Sequence, residues 1–146
     1  MKGILIDSSI ILDLFEDDQN WAEWSESSLE HYVMTHTLYI NPIIYAELSI
    51  GFERIEELEI AITGCGFQMI QIPKEALFLA GKAFIKHKKQ KSTKLHPLPD
   101  FFIGAHAAVV GLEIMTRDIS RFRSYFPTVK LVTPSQRPFR IRRKAY

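Results

Sequence analysis

Four acidic residues stand where a fold could gather them into one cleft: Asp7, Glu47, Asp100 and Asp118. Carboxylates crowded together repel one another, so most of them need neutralising at pH 7. The simplest neutraliser is a divalent cation, and an all-oxygen ligand set favours Mg²⁺ or Mn²⁺ over zinc. Such a cation suits phosphoryl chemistry, because it activates water and stabilises charge on the phosphate.

Asp100 follows a proline-punctuated loop and opens an apolar helical pattern. Pro97 and Pro99 cannot continue a preceding helix, and Pro99 pushes Leu98 towards an extended backbone. A helix is therefore predicted from Asp100 to about Val110, and it should be buried because apolar residues surround most of it. The alternative is that Asp100 is simply the N-cap of this helix, a position where aspartate is favoured.

Glu47 belongs to a second helix, which is predicted to begin after Asn41 and Pro42. Helical spacing places Glu47 beside Ile44 and Leu48, on the apolar face. A glutamate there is unfavourable unless it is paired, protonated or bound to a metal. A partner arginine, or a helix end that lets the carboxylate reach water, would explain it without a ligand.

Asp7 and Asp118 each come directly after a predicted strand. Asp7 ends a short apolar run that is typical of a buried parallel strand, and Asp118 follows the strand predicted over 112–116. In open α/β sheets, ligands bind beyond the carboxyl ends of the strands. The alternative for Asp7 is a cap on the next helix, with Ser8 or Ser9 sharing that role.

Strand and helix patterns alternate along the chain. The predicted strands cover 3–6, 36–40, 67–72, 112–116 and 129–133. This alternation predicts the α/β class: a three-layer α/β/α arrangement with a mostly parallel sheet of about five strands and helices on both faces. Right-handed crossovers place the carboxyl ends of the strands along one edge, where the four acids could meet.

Length and composition predict one domain over residues 1–134, followed by a basic tail over 135–146. The 146 residues, 47% hydrophobic and 24% charged, are ordinary for a globular protein with a sizeable core. No apolar run reaches the roughly 18 residues of a membrane-spanning helix, so no membrane association is expected. The single cysteine, Cys65, allows no disulfide within the chain and favours a reducing, cytoplasmic location.

The net charge of +1 hides an asymmetry between the two halves of the sequence. Residues 1–60 contain two basic and 13 acidic side chains, whereas residues 61–146 contain 16 basic and four acidic ones. Carboxylates in basic surroundings suit a polyanionic ligand that also needs a cation, such as a nucleic acid. The indication is modest, because sequence halves need not be spatial halves in an α/β fold.

Motifs for other catalytic systems do not occur. The sequence has no dinucleotide-binding glycine pattern, Walker lysine or GxSxG nucleophile elbow. Its five histidines show no HExxH spacing, and His106, in the predicted buried helix, is interpreted as a core residue. The carboxylates are therefore the candidate chemistry.

Four segments, in this order, resemble the PIN-domain proteins, and specifically the VapC-like toxins of bacterial and archaeal toxin–antitoxin pairs. The segments are Ile6-Asp7-Ser8-Ser9, Tyr45-Ala46-Glu47-Leu48, Pro97-Leu98-Pro99-Asp100-Phe101-Phe102-Ile103-Gly104-Ala105-His106-Ala107, and Met115-Thr116-Arg117-Asp118 followed by Phe122 and Tyr125-Phe126-Pro127. The resemblance covers essentially residues 3–134. One departure is that residues 91–95, before the third segment, lack the glycine often found there in such toxins.

The resemblance implies an endoribonuclease that hydrolyses RNA with one or two Mg²⁺ or Mn²⁺ ions. The family's acids fall on Asp7, Glu47, Asp100 and Asp118, as metal ligands and catalytic residues, and its hydroxyl position matches Ser8 or Ser9. A homodimer and a small antitoxin that inserts a segment into the cleft are also implied. The basic candidates for contact with RNA are Lys88, Lys89, Lys91, Lys94 and Arg117.

Two other classes of function are weighed against the nuclease. A catalytically silent PIN-like module would bind RNA or protein without cutting, and the intact acid set argues against it. A receiver-type phosphorylation domain would need an aspartate after the third strand and a lysine after the fifth. Residues 71–73 and 133–134 supply neither.

Overall fold

The computed structural model describes residues 2–90 and 98–134. Its strands are β1 (Lys2–Ile6), β2 (His36–Ile40), β3 (Gln68–Met69), β4 (Glu113–Met115) and β5 (Leu131–Val132). Its helices are α1 (Ser8–Phe15), α2 (Ala22–Tyr32), α3 (Pro42–Ser49), α4 (Ile55–Gly64), α5 (Lys74–Lys89) and α6 (Leu98–Val110), with a 3₁₀ helix at Ile119–Arg121. The predicted tail over 135–146, and Lys91 and Lys94, lie outside the described residues.

The five strands form one parallel sheet in the order β3-β2-β1-β4-β5. β1 lies at its centre, and Ile4, Leu5 and Ile6 have no exposed surface, as expected for a strand covered on both faces. Helices cover the two faces of the sheet, which gives the three-layer α/β/α arrangement. The predicted fold class is confirmed.

The boundaries of several elements differ from the prediction. α6 begins at Leu98 rather than Asp100, so Asp100 is the third residue of the helix and not its N-cap. Pro99 does not delay the helix, because a proline in the first turn gives up an N–H that would have no intrahelical partner. β3 pairs over only two residues, although the alternating pattern that predicted it is longer, because its neighbour β2 ends at Ile40, opposite Met69.

α6 carries Asp100 and packs closely against the C-terminal part of the domain. A Cβ atom at Gly104 would lie 2.2 Å from the Phe126 ring, so a glycine is needed at this contact. Phe101 and Phe122 are also buried there. This packing places the first turn of α6 beside the carboxyl ends of the central strands. None of the helices in the described parts of the chain is long and apolar enough to cross a membrane.

Candidate active site

Asp7 and Asp100 meet at one guanidinium group, that of Arg121 in the 3₁₀ helix. Both carboxylates are buried, with 0% and 2% of the residue exposed. Arg121 Nη1 donates to Asp7 Oδ2 at 2.7 Å, and Arg121 Nε donates to Asp100 Oδ1 at 2.9 Å. Arg121 Nη2 also donates to Asp100 Oδ1. Residues from three distant parts of the chain therefore form one buried ionic group.

The two oxygens of the Asp7 carboxylate have very different surroundings. Oδ2 accepts hydrogen bonds from Ser9 Oγ at 3.0 Å, from Thr116 Oγ1 at 2.8 Å and from Arg121. Oδ1 is buried and has no hydrogen-bond partner among the described residues. The orientation of the carboxylate is thus held through one oxygen, while the other is left free for a ligand.

Glu47 is the third acid of the cleft. Its side chain, on α3, is partly buried, and its Oε1 has no hydrogen-bond partner within residues 2–90 and 98–134. Burial raises the pKa of Glu47, and the nearby charge of Asp7 raises it further. Arg121 and the Ser8 hydroxyl oppose that rise. The partner arginine considered for Glu47 is therefore present, but it is shared with two other acids.

The same charges act on Asp7 and on Arg121. Burial raises the pKa of Asp7 despite the opposing effects of Arg121, Thr116 and Ser9. For Arg121, burial would lower the pKa, but the hydrogen bond to Asp100 and the charges of the acids outweigh it and raise the pKa. The guanidinium therefore stays charged, and among the described residues one positive charge faces three carboxyl groups.

Asp118 is placed differently from the other three acids. It is exposed and caps the 3₁₀ helix, where its Oδ1 accepts from Ser120 N at 3.0 Å and from Ser120 Oγ at 2.6 Å. Within the described residues its carboxylate makes no ion pair with Arg121, unlike those of Asp7 and Asp100. Its backbone N–H donates to Thr116 Oγ1 at 3.2 Å, and Thr116 is bonded to Asp7. One hydroxyl group therefore separates Asp118 from the cleft.

The donor atoms of the cleft are of the type that a hard divalent cation prefers, although they are not arranged as a complete coordination site. No three histidine, cysteine or acidic side chains within residues 2–90 and 98–134 converge as a metal cage. The donors are nevertheless all carboxylate oxygens, which Mg²⁺ and Mn²⁺ prefer. Asp7 Oδ1 and Glu47 Oε1 are also buried and have no partner in the described part of the chain, as expected of atoms that bind a ligand.

Arg121 and Thr116 are the site residues that the sequence analysis missed. Thr116 lies inside a segment that carries the family resemblance, and this was the signal that could have found it. Arg121 follows Asp118 by three residues and lies outside the four segments that carry the family resemblance. Its pairing with Asp7 spans 114 residues of sequence, so no local pattern indicates it.

Arg117, a predicted RNA contact, is directed towards α1 and α2. Its Nε lies 3.0 Å from Asp13 Oδ2, and its guanidinium lies over the Trp21 ring at 5.4 Å. The N–H group does not point along the Nε–Oδ2 line, so this contact is a charge pair rather than a hydrogen bond. Asp13 is buried and also accepts from Ser25 Oγ at 3.0 Å.

The other basic candidates and His106 have simpler positions. Lys88 and Lys89 are exposed at the end of α5, and Lys88 Nζ lies 5.1 Å from the centre of the Phe84 ring. His106 is fully buried, with its Nδ1 3.1 Å from Asn41 Nδ2. Burial lowers the pKa of His106, so it is a neutral core residue, as predicted.

A family profile described as the PIN domain matches residues 4–125, a span that contains all four predicted acids. The chain belongs to the PIN-domain family. No sequence among curated proteins matches it.

Solved structures share the PIN fold over nearly their whole length. A chain of VapBC2 from Rickettsia felis, bound to a promoter DNA fragment, superposes with a TM-score of 0.70 at 16% identity, covering 89% of this chain and 97% of the other. A toxin–antitoxin complex from Klebsiella pneumoniae gives 0.65 at 23% identity, with 90% and 98% covered. FitAcB from Neisseria gonorrhoeae gives 0.66 at 18%, with 91% and 99% covered. At these identities the likeness concerns the fold.

Proposed function

We propose that this PIN domain is a metal-dependent endoribonuclease and the toxin of a VapBC-type toxin–antitoxin pair. The observation that carries the proposal is the Asp7 carboxylate, which is oriented through one oxygen and has the other buried and free. Asp100 and Glu47 lie beside it. The structural neighbours include VapBC2 and a protein described as a toxin–antitoxin complex, which supports this assignment within the family.

In this proposal Asp7 and Asp100 would hold Mg²⁺ or Mn²⁺, Asp118 would assist from the edge of the cleft, and Glu47 would complete the acidic cluster. The cation supplies charge stabilisation and water activation when bound. Ser9 and Thr116 keep the Asp7 carboxylate in its ligating orientation.

Glu47 is suited to act as a general base. Its pKa is raised by burial, so Oε1 can accept a proton from the attacking water. Water then attacks the phosphorus in line and the P–O3′ bond breaks. The leaving O3′ takes a proton from solvent, which gives a 5′-phosphate and a 3′-hydroxyl.

The remaining parts of the proposal concern partners and organisation. The exposed Lys88 and Lys89, with Lys91 and Lys94 after them in the sequence, would contact RNA phosphates at the approach to Asp100. An antitoxin partner, a homodimer and a cytoplasmic site of action follow from the toxin assignment. Residues 1–134 would form the PIN domain, and the basic tail over 135–146 would follow it.

Cleavage of a total small-RNA pool tests the nuclease. The purified chain is incubated with Mg²⁺, Mn²⁺ or EDTA, alongside the variants Asp7→Asn and Asp100→Ala. Asp17→Asn is the matched control, because Asp17 is an exposed acid outside the cleft. We expect discrete, metal-dependent cuts by the parent chain and by the control, and none by the two site variants. Undiminished cleavage by correctly folded Asp7→Asn protein would overturn the proposal.

The second candidate function is a catalytically silent module that binds RNA or a protein. The Arg121 guanidinium favours this alternative, because it bridges Asp7 and Asp100 and so neutralises part of the acid charge without a metal. Such a module would bind RNA with the same affinity in EDTA and in Mg²⁺ and would cut in neither. Binding by gel shift, measured in parallel with the cleavage assay, separates the two functions.

A further inference from the structure

The hydrogen bonds of the Arg121 guanidinium go to groups that the proposed function assigns to the cation. Nη1 donates to Asp7, and Nε and Nη2 donate to Asp100. Glu47 is close enough for its charge to act on the same guanidinium. The positive charge of the cleft is therefore supplied by the chain itself, at the place where the carboxylates would hold a cation.

A divalent cation and this guanidinium would compete for the same carboxylates. A cation that ligates Asp7 and Asp100 would lie within a few ångströms of the Arg121 charge, where like charges repel strongly in a buried setting. The guanidinium cannot avoid this by losing its proton, because arginine stays charged in proteins. Movement of the Arg121 side chain away from Asp7 and Asp100 relieves this repulsion.

The surroundings of Arg121 allow its side chain to move while its backbone stays in place. The side chain is 19% exposed, so one side of it reaches the surface of the cleft. The next residue, Phe122, is fully buried and anchors the chain at this point. Arg121 itself lies in a 3₁₀ helix of three residues, whose other members, Ile119 and Ser120, are not buried.

We propose that Arg121 is an internal counter-ion of the metal-free protein, which competes with the divalent cation for Asp7 and Asp100 and is displaced when the cation binds. This inference rests on the proposed metal-dependent function. Arg121 holds the buried acids together in the absence of metal. The apparent metal affinity is therefore the intrinsic affinity multiplied by the fraction of molecules in which Arg121 has left the acids. The coupling is reciprocal, so bound metal equally weakens the hold of Arg121 on the acids.

Metal binding without RNA is the direct test. The dissociation constant for Mn²⁺ is measured by calorimetry for the parent chain, for Arg121→Gln and for Arg123→Gln. Arg123 is the matched control, because it carries the same charge two residues away and is exposed. We expect Arg121→Gln to bind Mn²⁺ at least about 10-fold more tightly, within the usual range of such couplings, while Arg123→Gln stays within about 2-fold.

Thermal unfolding separates competition from a purely structural role. Arg121→Gln should melt below the parent chain in EDTA, because buried acids lose their partner, and the difference should vanish in saturating Mn²⁺. A structural arginine would lower the melting temperature equally in both conditions and would leave the Mn²⁺ affinity unchanged. That result would overturn the inference.

A measurement on the parent chain covers the case in which Arg121→Gln does not fold. The arginine Nε–H signals are followed by NMR during a titration with Mg²⁺, with Arg121→Lys used to assign the Arg121 signal. We expect that signal to be protected from solvent exchange in EDTA and to lose protection as Mg²⁺ binds. Protection that persists at saturating Mg²⁺ would overturn the inference.

The outcomes also separate this inference from the nuclease proposal. Equal or weaker Mn²⁺ binding by Arg121→Gln, together with metal-dependent cleavage by the parent chain, overturns the counter-ion role and leaves the nuclease standing. The absence of Mn²⁺ binding in both proteins at millimolar concentration overturns both. Binding by Arg121→Gln alone supports the counter-ion role and indicates that the parent chain is held in its metal-free form.

Discussion

Two arginines four positions apart each reach a buried aspartate, and their surroundings differ in one respect. Arg117 contacts the single carboxylate of Asp13, under the ring of Trp21. Arg121 is shared between Asp7 and Asp100, with Glu47 also close. The first group is balanced in direct contacts, whereas the second, within residues 2–90 and 98–134, has more carboxyl groups than cations.

The two groups differ in their balance of charge, whereas burial shifts the pKa of their aspartates in the same direction. Burial raises the pKa of Asp13 as well as the pKa of Asp7, so a raised pKa alone would nominate both as functional. Asp7 and Glu47 each keep a buried oxygen without a partner, and Asp13 does not appear among such atoms in the described residues. The Asp13–Arg117 pair therefore fastens the loop after β4 to α1 and α2, and the Arg121 group has capacity left for a ligand.

The largest expected effect is on the rate of RNA cleavage, in which substitutions of Asp7 and Asp13 should differ. Asp7→Asn should lower single-turnover RNA cleavage by at least about 10²–10³-fold, because it removes a charged group that acts in the transition state. Asp13→Asn should keep the cleavage rate within about 10-fold at a temperature where both variants are folded. The comparison would fail if Asp13→Asn lost as much activity as Asp7→Asn while its circular dichroism spectrum stayed that of the parent chain.

The next effect concerns the stability that the balanced pair supplies. Breaking a buried ion pair by removing one partner costs about 3–5 kcal/mol, and the partial exposure of Arg117 reduces this to about 1–3 kcal/mol for Asp13→Ala. Urea unfolding measures the change. The double variant Asp13→Ala/Arg117→Ala should be less destabilised than the two single effects added together, because the pair is already broken. Strict additivity would show that the two residues do not interact.

A smaller effect, on the free energy of unfolding, tests whether the carboxylates of the cleft repel one another in the absence of metal. Because burial and Asp7 raise the pKa of Glu47 above its ordinary 4.5, ionised Glu47 disfavours the folded state. The favourable contribution of Glu47 is complete below pH 4.5 and is lost as the pH rises through the raised value. In EDTA at pH 7.5, Glu47→Gln should therefore be more stable than the parent chain, with the gain shrinking to zero towards pH 4. Urea unfolding at several pH values measures it.

Glu26→Gln is the control for this pH series, because Glu26 is exposed on α2. Its unfolding free energy should follow that of the parent chain at every pH. A stability gain for Glu47→Gln that did not change with pH would show that charge in the cleft is not its cause.

The smallest effect distinguishes exposed basic residues from the engaged Arg117. The double variant Lys88→Ala/Lys89→Ala should bind RNA a few-fold more weakly, and the slope of log affinity against log salt should fall by about one for each phosphate that is no longer neutralised. Arg117→Ala should leave that slope unchanged, because its charge faces Asp13. Fluorescence anisotropy at several salt concentrations measures both slopes, and a lower slope for Arg117→Ala would place that residue on the RNA surface.

The alternation of elements and the central strand were predictable, because both depend on short-range patterns. Ile4, Leu5 and Ile6 form an uninterrupted apolar run, and only a strand covered on both faces requires one. The end of that strand then places Asp7 at the edge of the sheet where ligands bind. Helical spacing likewise predicted a partly buried Glu47.

The boundaries of α6 and β3 could not be predicted as closely. Pro99 indicates the start of a helix only to within a few residues, since it is tolerated in the first turn. β3 has the alternating pattern of a longer strand, but the number of paired residues depends on how far its neighbour β2 reaches. Both are properties of the packed domain.

By itself, the sequence determined the α/β class, the membership of the PIN family and three acids that lie together: Asp7, Glu47 and Asp100. These follow from periodicity, from the residue after each strand, and from motifs read in order. The tertiary structure alone decided that Arg121 bridges Asp7 and Asp100, that Arg117 faces Asp13, and that Asp118 is exposed. The physical reason is that a side chain's ionic partner is chosen by the packing of loops far apart in sequence, and no local spacing encodes that choice.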